Sequence, residues 1–280
     1  MAVALSILSA LIYGAADFCG GIATRRTSMY AVVVISQCSG LLLLLALMPF
    51  VPHHAIPSDL LFGALAGIFG AISISLLYHA LSIGTMGVIS PVTAVLAALI
   101  PLIYGVAIER NHLGLVQYGG ILFAIASIAL ISLSTEKSGE REIATAGVRE
   151  AILAGIGFGA FFILLSYTHR AAGVENLLAA RLTSITLMTL AALALRKNLK
   201  PERAQDFWLI VFSGFLDMSA NIVYVFSTFF GYLAIVAVLG SLYPASTVFL
   251  ARIVLGERLS RIQQVGVVCA LAGVLLISLR

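Results

Sequence analysis

The feature that most constrains the fold is a series of apolar segments, each about 20 residues long, that carry almost no charge. As an α-helix, a segment of this length crosses the hydrocarbon core of a bilayer. Of the 280 residues, 61% are hydrophobic and 10% are charged, whereas soluble domains carry about 25% charged residues. Short segments with alternating polarity, which are typical of membrane β-barrels, are not found. The sequence therefore predicts an all-α integral membrane protein.

Polar and proline-rich breaks divide the chain into ten predicted transmembrane helices. They cover residues 2–24, 29–50, 59–83, 86–108, 113–134, 149–170, 175–195, 206–229, 232–255 and 260–279. The clearly polar connection, "STEKSGEREIATAGVRE", lies at the middle of the chain. We therefore predict a first five-helix repeat at 1–134, a connecting loop at 135–148 and a second five-helix repeat at 149–280.

The two halves of the sequence share a weak internal repeat. "ERNHLGLVQYGGILFAIASIALIS", from Glu109, resembles "ERLSRIQQVGVVCALAGVLLIS", from Glu257. Similar spacing relates the first-half residues Gly14, Arg25, Asp59, Gly67 and Gly84 to the second-half residues Gly159, Arg170, Asp206, Gly214 and Gly231. Five is an odd number of spans, so the second repeat must be inverted in the membrane relative to the first. Inverted repeats around a central site are typical of secondary transporters.

Asp17 lies within the first apolar segment, in the sequence "GAADFCGG". An ionised side chain at the bilayer centre costs about 2.5–3.5 kcal/mol on insertion scales, so it normally faces protein or an aqueous cavity. The residues Ser6, Ser9, Tyr13, Asp17, Gly20 and Thr24 recur at steps of three or four. This spacing puts them on one face of the first helix, and we expect Asp17 to face the interior of the bundle.

Two further predicted helices carry polar stripes of the same kind. The eighth has Ser213, Asp217, Asn221, Tyr224 and Thr228, and the third has Ser75, His79 and Ser82 with Tyr78 beside them. The three stripes would surround a polar cavity that binds a substrate or relays protons. Alternatively, they hydrogen-bond to one another and hold the helices together.

The segment "SLYPASTVFLARIVLGERLSRIQQVGVVCALAGVLLIS", residues 241–278, resembles the end of an EamA repeat of the drug/metabolite transporter superfamily. The first copy, "SPVTAVLAALIPLIYGVAIERNHLG", departs from that pattern because Ile108 precedes Glu109 where a glycine is usual. The resemblance implies ten helices around a central cavity and the export of amino acids or other small metabolites. Among such proteins, the aromatic amino-acid exporters are the nearest comparison.

A small zwitterion, such as an amino acid, fits the chemistry of the predicted cavity. The predicted substrate-binding residues are Asp17, Tyr78, His79, Asp217, Asn221, Tyr224 and Tyr243. The polar stripes supply few Lys or Arg residues to neutralise a phosphate, so a nucleotide-sugar is a weaker alternative. Arg181, in the seventh predicted helix, would either pair with Asp217 or receive a substrate carboxylate, and Gln37 is also expected to be buried.

Pro91 and Pro244 are predicted to loosen the fourth and ninth helices, because each removes an intrahelical hydrogen bond. They would then mark the moving parts of the transporter, or act only as packed kinks. No ATP-binding motif occurs in the sequence, so a gradient, exchange or facilitated diffusion would drive transport. Asp17 or Asp217 could carry a proton during the cycle.

Several other classes of function are less favoured. A membrane-embedded enzyme would need a nucleophile, base or metal cluster that is not evident in the sequence, and the three cysteines have no metal-binding spacing. Neither a cofactor nor a nucleic acid is expected as a partner. A channel or receptor shares the hydropathy, but would not need an inverted duplication. The expected location is the cell membrane, in a bacterium the inner membrane.

The orientation of the termini stays open. Ten spans put both termini on one side, and most Lys and Arg residues fall on the other side. The positive-inside rule would put the termini outside the cell, whereas the resemblance implies cytosolic termini.

Overall fold

The computed structural model describes residues 1–50, 54–108, 114–132, 146–169, 174–230, 239–240 and 242–279. Within these ranges it contains ten α-helices, one short 3-10 helix at Met48–Phe50 and no strand. The helices are α1 (Ala2–Arg26), α2 (Met29–Leu47), α3 (Pro57–Ile83), α4 (Met86–Ala107), α5 (Leu115–Ser132), α6 (Val148–Ser166), α7 (Glu175–Ala194), α8 (Ala204–Phe230), α9 (Tyr243–Val254) and α10 (Arg261–Ser278).

In the described part of the chain, seven helices are long and apolar enough to cross a membrane, namely α1, α2, α3, α4, α6, α7 and α8. Helices α5 and α10 contribute shorter apolar stretches. Large apolar side chains such as Leu42, Phe249 and Val268 are exposed on the surface, where lipid would cover them. The prediction of an all-helical integral membrane protein is confirmed. The first part of the predicted ninth helix, at 232–255, lies largely outside the described residues.

Polar contacts at the helix ends define the directions of the helices. The Arg25 guanidinium, at the end of α1, donates to the carbonyls of Leu81 and Gly84 at 3.3 Å, so α1 and α3 end on the same side. At the other end of α3, the amide of His169, just after α6, donates to Asp59 at 2.9 Å. Asp206, near the start of α8, pairs with Arg26 at 3.6 Å. Helices α6 and α8 therefore run antiparallel to α1 and α3.

We call the two ends of the molecule the Asp59 side and the Glu257 side. Asp59 meets His169 on the first, and Glu257 meets Arg25 on the second. Helix α1 runs from the Asp59 side to the Glu257 side, and α6 runs the opposite way. Helix α4 begins beside Glu257, whereas α9 ends just before it. The helices in corresponding positions of the two halves, α1 with α6, α3 with α8 and α4 with α9, thus have opposite directions.

Helix packing also relates the two halves. When α1–α5 are matched in order with α6–α10, the main contacts between the halves form equivalent pairs. Helix α1 packs on α8 as α6 packs on α3, α2 packs on α8 as α7 packs on α3, and α4 packs on α6 as α9 packs on α1. Helix α5 packs on its own counterpart, α10. Each half therefore buries its helices mainly against the other half.

Two glycines at matched positions of the repeat permit close approaches between helices of the two halves. A Cβ atom added at Gly67 would lie 2.4 Å from the carbonyl oxygen of Ala180 in α7. One added at Gly214 would lie 2.0 Å from the carbonyl oxygen of Ser36 in α2. Both distances are far below van der Waals contact, so only glycine lets these backbones touch. Small residues have this role in many membrane helix pairs.

We expect Gly214→Ala to destabilise the protein, because the added methyl group must push α8 away from α2. Overpacking of a tight contact costs about 1–3 kcal/mol, and the change should lower the melting temperature in detergent. Gly119→Ala is the matched control, since a Cβ atom there meets nothing within 4 Å. Equal melting temperatures for the two variants would contradict the close approach at Gly214.

Candidate functional site

A cavity of about 570 Å³ lies between the two halves of the protein, within the range of sites that enclose small molecules. Residues of both halves line it. The lining residues of α6, which include Phe158 and Leu165, fall in the second half of that helix, and those of α7, which include Leu177 and Arg181, fall in the first half. The cavity is therefore displaced toward the Asp59 side.

Six of the seven residues predicted to bind substrate line this cavity, namely Asp17, Tyr78, Asp217, Asn221, Tyr224 and Tyr243. They come from α1, α3, α8 and α9. Gln37, Arg181 and Tyr13 also line it. Two of the stripes identified in the sequence thus meet, and the cavity has a strongly polar part.

The Arg181 guanidinium is held by two partners within the cavity. One of its terminal nitrogens donates to the side-chain oxygen of Gln37, and the other donates to the Asp217 carboxylate. The side chains of Arg181 and Asp217 are 14% and 24% exposed, so both remain accessible from the cavity. The Asn221 amide donates to the backbone carbonyl of Asp217 at 2.8 Å. The positive charge of Arg181 is therefore neutralised by Asp217.

Asp17 differs from Asp217 in its surroundings. No described residue makes a hydrogen bond or a salt bridge with its carboxylate, although Asp217 is close enough to interact with it electrostatically. Of the two acidic side chains that line the cavity, Asp17 is thus the one without a described cationic partner. Such a carboxylate can receive a positively charged group of a ligand.

The outer parts of the polar stripes hold helices together. Ser9 donates to the carbonyl of Ala220 at 2.8 Å, and Ser213 donates to the carbonyl of Ala16 at 2.9 Å. Tyr78 is 2% exposed, and its ring packs directly on Gly20, where a Cβ atom would lie 2.3 Å from the ring. Ser9 and Ser213 thus join neighbouring helices, as the second interpretation of the stripes expects, while Asp17 lines the cavity.

An apolar wall of the cavity was not predicted from the sequence. Phe158, Phe161 and Phe162 on α6 line the cavity together with Val274 and Ile277 of α10. The three phenylalanines follow a spacing of three and then one, which puts them on one helix face. This signal was available in "FGAFF", but apolar side chains on a membrane helix are expected to face lipid as well. The cavity thus combines charged groups with aromatic rings.

His79 is exposed and does not line the cavity, which corrects its predicted placement. Consecutive residues of an α-helix differ in direction by about 100°, so the neighbour of buried Tyr78 points away from it. The rest of that stripe also makes local contacts. Ser82 donates to the His79 carbonyl at 2.7 Å, and Ser75 donates to the Ala71 carbonyl at 2.6 Å.

The two predicted helix-breaking prolines differ in position. Pro244 lies in the first turn of α9, where the missing N–H removes no intrahelical bond, so it does not loosen the described part of that helix. Pro91 is buried inside α4 and does not line the cavity. Pro101, which was not predicted, lies inside α4 and lines the cavity together with Ala97. Pro101 has no N–H for the Ala97 carbonyl, and such an interruption is tolerated beside a cavity.

On the Glu257 side, several contacts meet at the start of α4. The Glu257 carboxylate accepts hydrogen bonds from the backbone amides of Met86 and Gly87, both at 3.1 Å, and lies 3.5 Å from the Arg25 guanidinium. Gly256 has a φ of 67°, a conformation that commonly ends helices and that here lets the chain bring Glu257 back to α4. The first amides of a helix lack internal partners and favour an anion. Glu257, just after α9, therefore contacts both α1 and α4.

Comparison with known proteins supports the resemblance seen in the sequence. The model of the EamA-like transporter family matches residues 1–133 and also residues 145–279. A solved structure described only as a crystal structure of a protein superposes with a TM-score of 0.57 and 16% sequence identity, covering 96% of this chain and 95% of that chain. At this identity the likeness shows the fold alone. No curated protein matches the sequence.

Proposed function

Because this chain belongs to the EamA-like transporter family, and is thus a multi-pass membrane protein that transports small molecules, we propose that it carries an amino acid by alternating access. The amino acid has an apolar or aromatic side chain, and the direction of transport is export. The protein works in the cell membrane, in a bacterium the inner membrane. The observation that carries this proposal is an Asp17 carboxylate without a described cationic partner in the same cavity as a wall of phenylalanines.

Alternating access in this protein would follow from two inverted five-helix repeats, the first at 1–134 and the second at 149–280. The opposite directions of corresponding helices and the equivalent pairs of contacts between the halves support this division. In such an architecture, each half adopts in turn the conformation of the other, which moves the opening from one side of the membrane to the other. The cavity is displaced toward the Asp59 side, and contacts of Glu257 hold the opposite side closed. A carrier that is open to one side of the membrane and closed to the other should have this asymmetry.

The proposed substrate follows from the chemistry of the cavity. Asp17 receives the ammonium group of the amino acid in a charge-assisted hydrogen bond. Phe158, Phe161 and Phe162 contact its side chain, because aromatic rings bury large apolar groups with favourable geometry. The phenols Tyr224 and Tyr243 and the Asn221 amide supply further polar contacts.

We further propose that protons drive the transport through Asp17. An isolated negative charge is costly in a closed, water-poor site, so Asp17 needs either a substrate ammonium or a proton when the cavity closes. The titratable and charged groups around it are Tyr13 on its own helix, Tyr78 on α3, Arg181 on α7, Asp217 and Tyr224 on α8, and Tyr243 on α9. A pH gradient across the membrane should then alter the rate of exchange.

Counterflow in liposomes tests the proposed function. We expect the purified protein to exchange labelled phenylalanine or leucine with saturable kinetics, and protein-free liposomes to show none. A pH gradient should change the initial rate. Flux that does not saturate would indicate a channel instead. If the folded protein exchanges none of a panel of aromatic and aliphatic amino acids, the amino-acid proposal is wrong, and sugars, drugs and nucleotide-sugars become the next candidates.

A further inference from the structure

We propose that Arg181 and Ser184 form a carboxylate subsite that Asp217 occupies in the empty protein, and that the carboxylate of the substrate displaces Asp217. The sequence leaves two roles open for Arg181, pairing with Asp217 or binding a substrate carboxylate, and this exchange assigns it both in turn. The inference rests on the proposed transport of amino acids and names the residues that recognise the carboxylate of the substrate.

The contacts of Arg181 suit such an exchange. A guanidinium donates in a planar fork that matches the two oxygens of a carboxylate. Gln37 holds one terminal nitrogen of Arg181 through a neutral amide oxygen, while Asp217 takes the other. If Asp217 leaves, Gln37 still fixes the orientation of the guanidinium. The vacated nitrogen then faces the cavity, where a substrate carboxylate is its natural partner.

Ser184 supplies an independent observation. It lies three residues after Arg181 on α7, and both residues line the cavity. Ser184 is 3% exposed, and its hydroxyl has no hydrogen-bond partner among the described residues. A buried hydroxyl without a partner is unfavourable, because it has lost its hydrogen bonds to water. A carboxylate bound to Arg181 would accept a hydrogen bond from this hydroxyl.

Asp217 is suited to act as the temporary partner of Arg181. A cation in a partly buried site without a counter-charge is strongly unfavourable, so the empty cavity needs a carboxylate there. The Asn221 amide bonds the backbone of Asp217 and not its side chain, so it does not hold the carboxylate in place. The substrate carboxylate takes the place of Asp217 beside Arg181, so Arg181 always has a counter-charge.

Direct binding to the full-length protein in lipid nanodiscs tests this subsite with three probes. Phenylalanine has both charged groups, its primary amide lacks the carboxylate, and 3-phenylpropionate lacks the ammonium. The readout is the ratio of the Kd of the amide to the Kd of phenylalanine. Asp217→Asn removes the competing carboxylate, so we expect the ratio to rise about ten-fold. Ser184→Ala removes the proposed hydrogen bond to the substrate carboxylate, which is stronger than the one to the neutral amide, so we expect the ratio to fall about ten-fold.

Ser90→Ala is the matched control, because the Ser90 hydroxyl is also buried without a described partner but does not line the cavity. The ratio should not change in this variant. Unchanged ratios in both Asp217→Asn and Ser184→Ala would overturn the subsite and leave the amino-acid function standing. Binding of 3-phenylpropionate that weakens in Ser184→Ala, without exchange of any amino acid, would support the subsite and overturn the amino-acid function. If no probe binds the wild type, both are wrong.

Discussion

Asp17→Asn is expected to reduce the exchange of amino acids at least about thirty-fold, because it removes the only proposed partner of the substrate ammonium. Truncation of one member of a buried charge pair typically costs 2–5 kcal/mol, and 1.4 kcal/mol corresponds to a factor of ten. The loss should appear mainly as a raised KM in counterflow. Asparagine has nearly the same size and removes an isolated charge, so the melting temperature should not fall.

Asp206→Asn is the matched control for Asp17→Asn. Asp206 is buried and pairs with Arg26 outside the cavity. This variant should lower at most the yield of folded protein, and exchange per folded molecule should equal that of the wild type. Undiminished exchange in Asp17→Asn would show that Asp17 is a structural contact and that the ammonium binds elsewhere. Loss of the effect of a pH gradient in the same variant would support Asp17 as the proton carrier.

Hydropathy was sufficient to predict the longer helices, because a bilayer imposes a length and an apolar composition on each span. The structure has α3 at Pro57–Ile83 and α4 at Met86–Ala107, and the sequence predicts 59–83 and 86–108. The paired glycines were also informative. Gly67 and Gly214 were matched by spacing alone, and the structure gives them equivalent close contacts with Ala180 and Ser36.

The cavity was predictable only where a polar residue interrupts an apolar helix. Asp17 and Asp217 could be found in this way, since a carboxylate in a membrane helix must avoid lipid. The phenylalanine wall could not, because a bilayer and an apolar cavity favour the same side chains. His79 was misplaced for a related reason. One position along a helix changes the direction of a side chain by about 100°, and a stripe of serines and one histidine does not fix the rotation that closely.

The second large effect is expected when the contacts of Glu257 are removed, and it concerns the ratio of the two proposed transport states. Glu257→Ala should shift the protein toward the state that is open on the Glu257 side, because it removes two hydrogen bonds from the start of α4 and one partner of Arg25. Hydrogen bonds to a charged group contribute about 1.5–3 kcal/mol each, so the ratio of the two states should change at least about ten-fold. Glu257→Gln keeps one acceptor oxygen and should have a smaller effect.

Pulsed electron spin resonance measures this shift through the distance between labels on the exposed residues His79 and Arg258, in a background without the three native cysteines. The fraction of molecules with a longer distance between the two labels should grow in Glu257→Ala. It should remain at the wild-type level in Glu202→Ala, which removes an exposed acid just before α8. A fixed distance distribution with a lower melting temperature would mean that Glu257 only stabilises the start of α4. A larger fraction of molecules with the longer distance would show that the Gly-Glu sequence after α9 controls access to the cavity, since Gly256 directs the chain and Glu257 makes the closing contacts.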